Sequence, residues 1–413
     1  MKTARIPLLN DRHTHLSFYA ALSGAADLSS CITLKAALAV LKQRRAPLII
    51  ARGWKDNYFD LPREDLDKLG PAAVCNISLH SFRLNKAARK LLAPRYPEMI
   101  VRIDDQDWVE RHLPSVFELF TGPVGAEEIR AYMARLAALG IWAAEDMLVS
   151  SDAAARSLAE NYHGRATLWA SPEGYKRLGA RGKAAVRGLK IFADGAIGAR
   201  TAALAGSYKG GGKGLLLHSD AGLKALILSA AGVTGKIAIH AIGGAAVEQV
   251  LAALEAAGTA RNNFEVRMEH AQLITMEQAL RAKKLGVRLC MQPNFSADSV
   301  CYADRLCAAD ARRNNQLRML IDEAGFVPGR DLVFGSDGMP HGAKAALEAA
   351  LFPPLAGQRL ELEEFVAGYC LPDLKAGWID VKIDGGKKKI GVKVRLAAKG
   401  PAGTAGTPRV LGL

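Results

Sequence analysis

The stretch KIAIHAIGGAAVEQVLAALEAAG (residues 236–258), followed by FEVRMEHAQLITMEQALRAKKLG (264–286), shows one arrangement twice. Each begins with a short apolar run that closes on a histidine, first His240 and then His270. Each continues into a helix-like segment. The first segment ends at Gly258, suited to a helix C-cap; the second opens with Thr275 as N-cap and Gln278 at the capping-box position. Near-continuous apolar runs fit strands buried on both faces, and strand alternating with helix predicts parallel βα units.

Six more runs share the form: IPLLNDRHTH (6–15), GIWAAEDM (140–147), RATLWAS (165–171), RGLKIFADG (187–195), VRLCMQPN (287–294) and DLVFGSD (331–337). Eight such units predict an α/β fold, a closed (β/α)8 TIM barrel, with its active site at the C-terminal strand ends. The barrel is expected over residues 1–30 and 126–370. About 120 residues separate the first two runs, so residues 31–125 are read as an insertion capping the barrel mouth. Residues 371–413 read as a short β-hairpin around the DGG turn of WIDVKIDGGKKKIGVKVRL, then a basic Gly/Ala/Pro-rich tail without fixed structure.

Half of the 413 residues are apolar, and the mean hydropathy is +0.05, which suits a large globular core. No run approaches the roughly 18 apolar residues of a membrane span, and the N-terminus has no signal-peptide core. Six scattered cysteines without a CxxC pair read as reduced thiols and a cytoplasmic location. The net charge of +14 raises nucleic-acid binding. However, nine basic against two acidic residues follow from Leu374 onwards, and no basic stripe interleaves with aromatics. The expected partner is a small-molecule substrate, with no specific nucleic acid and no membrane; a homo-oligomer is compatible with all of this.

The strand ends carry His13 and His15, Lys190, His240, His270 and Asp337. Singly, each has an ordinary reading: a surface or capping histidine, a lysine reaching water, a hydrogen-bonded core histidine, an aspartate capping the next helix. Jointly they include four of the nine histidines, all on strands that end at one face. Alternation places His13 and His15 on the same side of their strand. Imidazoles with a carboxylate suit zinc and similar divalent ions.

The stretches DRHTHL (11–16), GLKIFADGAIGARTAAL (188–204) with Tyr208, IAIHAIGGAAVE (237–248), RMEHAQLI (267–274), MQPNFSADS (291–299) and FGSDGMP (334–340) occur in the order of a known family. The chain resembles the amidohydrolase superfamily, and within it the YtcJ-like group (amidohydrolase family 3) that contains N-substituted formamide deformylase. The resemblance implies that His13, His15 and Asp337 bind one divalent metal ion, zinc first, and that His240 and His270 bind a second where two are present. Lys190 stands where binuclear members carry a carboxylated (carbamylated) lysine. An ordinary lysine is a cation at neutral pH and a poor ligand; a carbamate supplies an anionic oxygen.

The implied function is metal-dependent hydrolysis of a C–N bond in an amide, formamide or N-acyl group, with Asp337 moving the proton from the attacking water to the leaving amine. Ester or cyclic-amide hydrolysis and deamination need the same residues, and a catalytically silent binding barrel is the non-enzymatic alternative. Trp54, His80 and Asn85 in the insertion, Arg200 and Gln292 are the substrate-binding candidates. Asp194 either orients ligands or fixes its loop. Glu269 alternates away from His270, so a helix-facing ion pair is expected of it. Relatives carry more strand before the HxH pair, so the N-terminal half of their small β-sandwich is expected to be missing or trimmed here.

Overall fold

In the computed structural model, residues 1–121, 124–258, 264–398 and 406–410 are described. The strands are β1 (Lys2–Pro7), β2 (Leu9–Thr14), β3 (Ala26–Asp27), β4 (Ile49–Trp54), β5 (Ala72–Asn76), β6 (Phe82–Leu84), β7 (Ile141–Asp146), β8 (Ala166–Ala170), β9 (Val186–Phe192), β10 (Lys236–Ala241), β11 (Glu265–His270), β12 (Arg288–Met291), β13 (Leu332–Phe334), β14 (Gly377–Asp384), β15 (Lys389–Ala398) and β16 (Gly406–Val410). Eight of them form one parallel sheet in the order β2, β7, β8, β9, β10, β11, β12, β13. Helices connect consecutive strands, so the fold is the (β/α)8 barrel.

The seam between β13 and β2 is closed by side-chain and loop bonds. Ser336 donates its backbone N–H to Asp11 Oδ1 at 2.9 Å, and Asp337 N–H donates to the carbonyl of His13 at 2.7 Å. Gly335 is required here, because a Cβ would lie 2.4 Å from the His13 nitrogen. Helix starts follow the expected chemistry: Ser151, Ser171, Ser219 and Thr275 each accept a backbone N–H from the third residue on. Thr275 and Gln278 form the expected capping box, and Gly258 ends its helix at φ +67°. Leu168, Leu189, Ile237, Ile239, Met268 and Leu289 are buried along the strands, each worth roughly 1.5–3 kcal/mol of burial.

Three expectations change. The run 6–15 is two strands, broken at Leu8. β1 pairs antiparallel with β14 in a sheet ordered β1, β14, β15, β16, so a strand ahead of the HxH pair does join the accessory sheet. The C-terminal segment is therefore more than a hairpin: Gly406–Val410 pairs with β15, where absence of structure was expected. The rest of that tail, 399–405 and 411–413, lies outside the described residues. The insertion has its own sheet, β3, β4, β5, β6, which begins at Ala26, before residue 31. It is built around a separate core that includes Leu28, Leu41, Trp54 and Val74.

Candidate metal centre and active site

The polar strand ends meet inside the barrel mouth. His13 Nε2 lies 3.7 Å from Asp337 Oδ1, and His15 Nε2 lies 3.2 Å from the same oxygen. The His13 and His270 rings are 4.7 Å apart and the His240 and His270 rings 4.4 Å. Donor atoms of His13, His270 and Asp337 all fall within 4.8 Å of one another. Lys190 is buried on the same face of β9 as Phe192, its Nζ 5.3 Å from that ring centre; Phe192 in turn faces His240 across the ladder to β10.

Buried partners fix which nitrogen His13, His270 and His240 offer. Glu269 Oε2 lies 2.6 Å from His13 Nδ1. A carboxylate accepts, so Nδ1 carries the proton and Nε2 faces Asp337 with a free lone pair. Gln292 Oε1 accepts from His270 Nδ1 at 2.7 Å, which frees the Nε2 of His270. His240 donates Nε2–H to the carbonyl of Gly195 at 3.0 Å, leaving Nδ1. Glu269 is anchored by Arg267 Nε at 2.6 Å, and Arg267 also binds Glu145 at 2.9 Å. This charged layer lies inside the barrel and supports His13.

The electrostatics suit a ligand set. Burial, with the positive Lys190 nearby, holds His13 well below the usual imidazole range. Burial and the neighbouring His270 do the same for His240, and burial and His13 for His270. Burial would raise the carboxyl of Asp337, but His13, His15 and Lys190 outweigh it and hold it below its ordinary value. Burial brings Lys190 down to about 8. His13, His240 and His270 are thus held towards the neutral imidazole, and Asp337 towards the ionised carboxylate. Asp337 Oδ1, His15 Nδ1 and Lys190 Nζ are buried without a hydrogen-bond partner. Unpaired polar atoms inside a protein are costly, and their convergence fits a site built for a divalent cation.

A pocket of about 190 Å³ opens onto this cluster, with His240, His270 and Asp337 on one wall and Lys55, Ile77 and His80 of the insertion on another. His80 is held by Glu110, whose Oε2 lies 2.7 Å from Nδ1, and Glu110 also accepts from Thr201 Oγ1 at 2.6 Å. Burial opposes charge on His80, but Glu110 prevails and raises its pKa.

The other substrate candidates fall elsewhere. Trp54 is buried in the insertion core and donates Nε1–H to the Phe59 carbonyl. Asn85 caps the helix Lys86–Leu92, accepting from Ala88 and Ala72 N–H and donating to the carbonyls of Leu66 and Gly70. Arg200 turns to the surface at φ +58° and donates to the Lys209 carbonyl. Gln292 is fully buried and serves His270. Asp194 fixes its loop by accepting the N–H groups of Ala203, Ile242 and Gly243.

Glu269 reverses its expectation: it points into the barrel. Regular alternation from His270 turns Glu269 outward, but His270 and Ala271 adopt φ +71° and +47°, which breaks the pleat. The pairing of Arg267 with Glu269, two apart on one strand, was the available signal. Glu110 had none, being thirty residues from its partner.

The family model described as "Amidohydrolase family" matches residues 5–344. "Putative amidohydrolase YtcJ" of Bacillus subtilis (strain 168) is 27% identical over 348 residues, 72% of this chain and 64% of that protein. The chain thus spans just under two thirds of the length of the curated relative it matches. An uncharacterized metal-dependent hydrolase from Pyrococcus furiosus superposes with a TM-score of 0.62 at 24% identity, over 88% of this chain and 80% of that one. A second, from Pyrococcus horikoshii OT3, gives 0.62 at 22%, over 84% and 74%. Both show the likeness of fold. With its family match running from β1 past Asp337 and taking in every residue of the cluster, this chain belongs to the amidohydrolase family.

Proposed function

We propose that the protein is a metal-dependent hydrolase of a C–N bond in an amide, formamide or N-acyl group. The observation that carries this reading is the convergence of His13, His270 and the unpartnered Asp337 Oδ1 within 4.8 Å. His13, His15 and Asp337 would hold one divalent ion, zinc first by donor type, and His240 and His270 a second. When bound, such an ion lowers the pKa of water towards about 7 and polarises a carbonyl.

The chain's own residues supply the rest. Asp337 Oδ1, ionised and without a partner, accepts the proton of the attacking water and returns it to the leaving nitrogen. Glu269 and Gln292 hold His13 and His270 in the required tautomers. His80, backed by Glu110, offers its Nε2 side to the substrate from the opposite wall. Lys190 is the position for a carbamate, which would replace a buried, unpaired ammonium by an anionic oxygen.

Elemental analysis of the purified protein beside His13→Ala/His15→Ala tests the site. About one or two equivalents of metal, lost in the variant, together with turnover of simple formamides or amides, is expected. Absence of metal after reconstitution would replace this reading with a silent binding barrel. Intact-mass analysis under native conditions would show one added CO2 at Lys190; an unmodified Lys190 in active protein would remove the carbamate.

A further inference from the structure

Beside the barrel mouth lies a second cavity of about 420 Å³. Lys55, Ile77 and Met339 line both it and the pocket over the cluster. Its other walls come from β4, from the helix Ala126–Ala138 and from the loop after Asp337. That loop is part of the site: the Tyr19 hydroxyl, on the cavity wall, donates to the Asp337 carbonyl at 3.0 Å.

The cavity is cationic by construction. The ladder between β4 and β5 slips between Ala51 and Trp54, and Gly53 sits at φ +81°. A bulge of this kind re-aims side chains, and Arg52, Gly53 and Lys55 all line the cavity. A Cβ on Gly53 would lie 3.0 Å from the Ser29 nitrogen, so glycine is needed at this bend. Arg135 faces them from the helix. Against three cations stands one anion, Asp27, which engages only Nη2 of Arg52, at 2.6 Å. Among the described residues, Lys55 and Arg135 form no ion pair; the Lys55 ammonium rests 5.5 Å from the centre of the Tyr58 ring. His341, on the same wall, is bonded at both nitrogens, to Thr14 and Tyr132.

Three cations against one carboxylate around a cavity favour an anion, and a guanidinium matches a carboxylate in geometry as well as charge. We infer that this side cavity binds a carboxylate carried by the substrate, through Arg52 and Arg135, with Lys55 at the passage to the metal cluster. The enzyme would then favour amides whose acyl or amine part bears an acidic arm. Only the word substrate rests on the proposed function; binding of the acid does not.

The test is calorimetric titration of the full-length, metal-loaded protein with adipate and with its uncharged isostere adipamide. The wild type should prefer adipate by about tenfold or more, the scale of one charge-assisted contact. Arg52→Gln/Arg135→Gln should reduce that preference to about twofold or less, with an unchanged melting temperature. Adipate held on the metal cluster instead would keep its preference in the double variant, which overturns the proposal. So would equal binding of the two probes by the wild type. An acid preference without any amide turnover would defeat the hydrolase reading and leave the cavity standing; turnover of neutral and acidic amides at equal kcat/KM would do the reverse.

Discussion

The two walls of the active-site pocket are built by different means. On the barrel wall, three histidines of the cluster are each fixed from behind by a buried partner: His13 by Glu269, His270 by Gln292, His240 by the Gly195 carbonyl. On the insertion wall, most polar side chains are consumed by the insertion itself. Trp54 and Asn85 satisfy backbone groups of the insertion's own loop and helix; of the three candidates in the insertion, His80 is presented to the pocket, with Glu110 behind it and Lys55 beside it. A rigid scaffold can spare side chains for chemistry, whereas a small inserted layer spends them on holding its own backbone.

Asp337→Asn is the strongest way to break this contrast. It removes the ionised oxygen yet keeps shape, so turnover should fall by about 10²–10⁴-fold, the range of general acid–base catalysis, while part of the metal is retained. Wild-type turnover in the variant would end the role given to Asp337. His80→Gln, on the opposite wall, should cost less, about tenfold in kcat/KM, because it loses one substrate contact. A larger loss than Asp337→Asn would invert the contrast and make the insertion the catalytic wall.

Glu269→Gln sharpens the barrel side. Arg267 keeps Glu145 as partner, so the fold should survive, but a single neutral amide oxygen replaces the two charged oxygens that Glu269 gives to His13 and Arg267. Metal affinity, measured by competition with a chelator, should drop by about 10–100-fold. An unchanged affinity would mean that β2 alone orients His13.

What was legible in the sequence follows the same division. The barrel strands read clearly because residues buried on both faces leave long apolar runs, and the cluster read clearly because its members end those runs. Glu269 was misplaced because a left-handed residue, His270, at the strand end reverses the face, and periodicity carries no trace of a single φ. In the insertion, Trp54, Asn85 and His80 looked alike as isolated polar or aromatic residues. Which of them faces the pocket depends on contacts far apart in sequence, such as Glu110 with His80. β1 was read as part of the next strand because its partner, β14, lies more than 370 residues away.

Asn85→Ala tests the insertion side with a smaller effect. Four hydrogen bonds are lost at a buried site, one of them a helix cap, at a cost of about 2–4 kcal/mol in total. The melting temperature of the insertion should fall by a few degrees. KM should stay unchanged at low temperature; a raised KM in folded protein would restore Asn85 to the substrate site.

The smallest effect concerns His341, which bonds Thr14 of β2 and Tyr132 and lines the side cavity. Burial lowers its pKa from 6.5 to about 3. The folded protein therefore binds fewer protons than the unfolded chain between these values. Stability is full above pH 6.5 and is lost as pH falls towards 3. Moving from pH 8 to pH 5 should cost about 1–2 kcal/mol through this residue. His341→Gln keeps a side chain able to reach Thr14 but cannot gain a proton. Its melting temperature should therefore fall less than that of the wild type between pH 8 and pH 5, even with metal bound, because His341 is not among the proposed ligands. Equal pH slopes for the two proteins would show that the ring is solvated and charges freely in the fold. The side cavity would then gain a fourth cation at low pH, and its preference for acids would strengthen as pH falls.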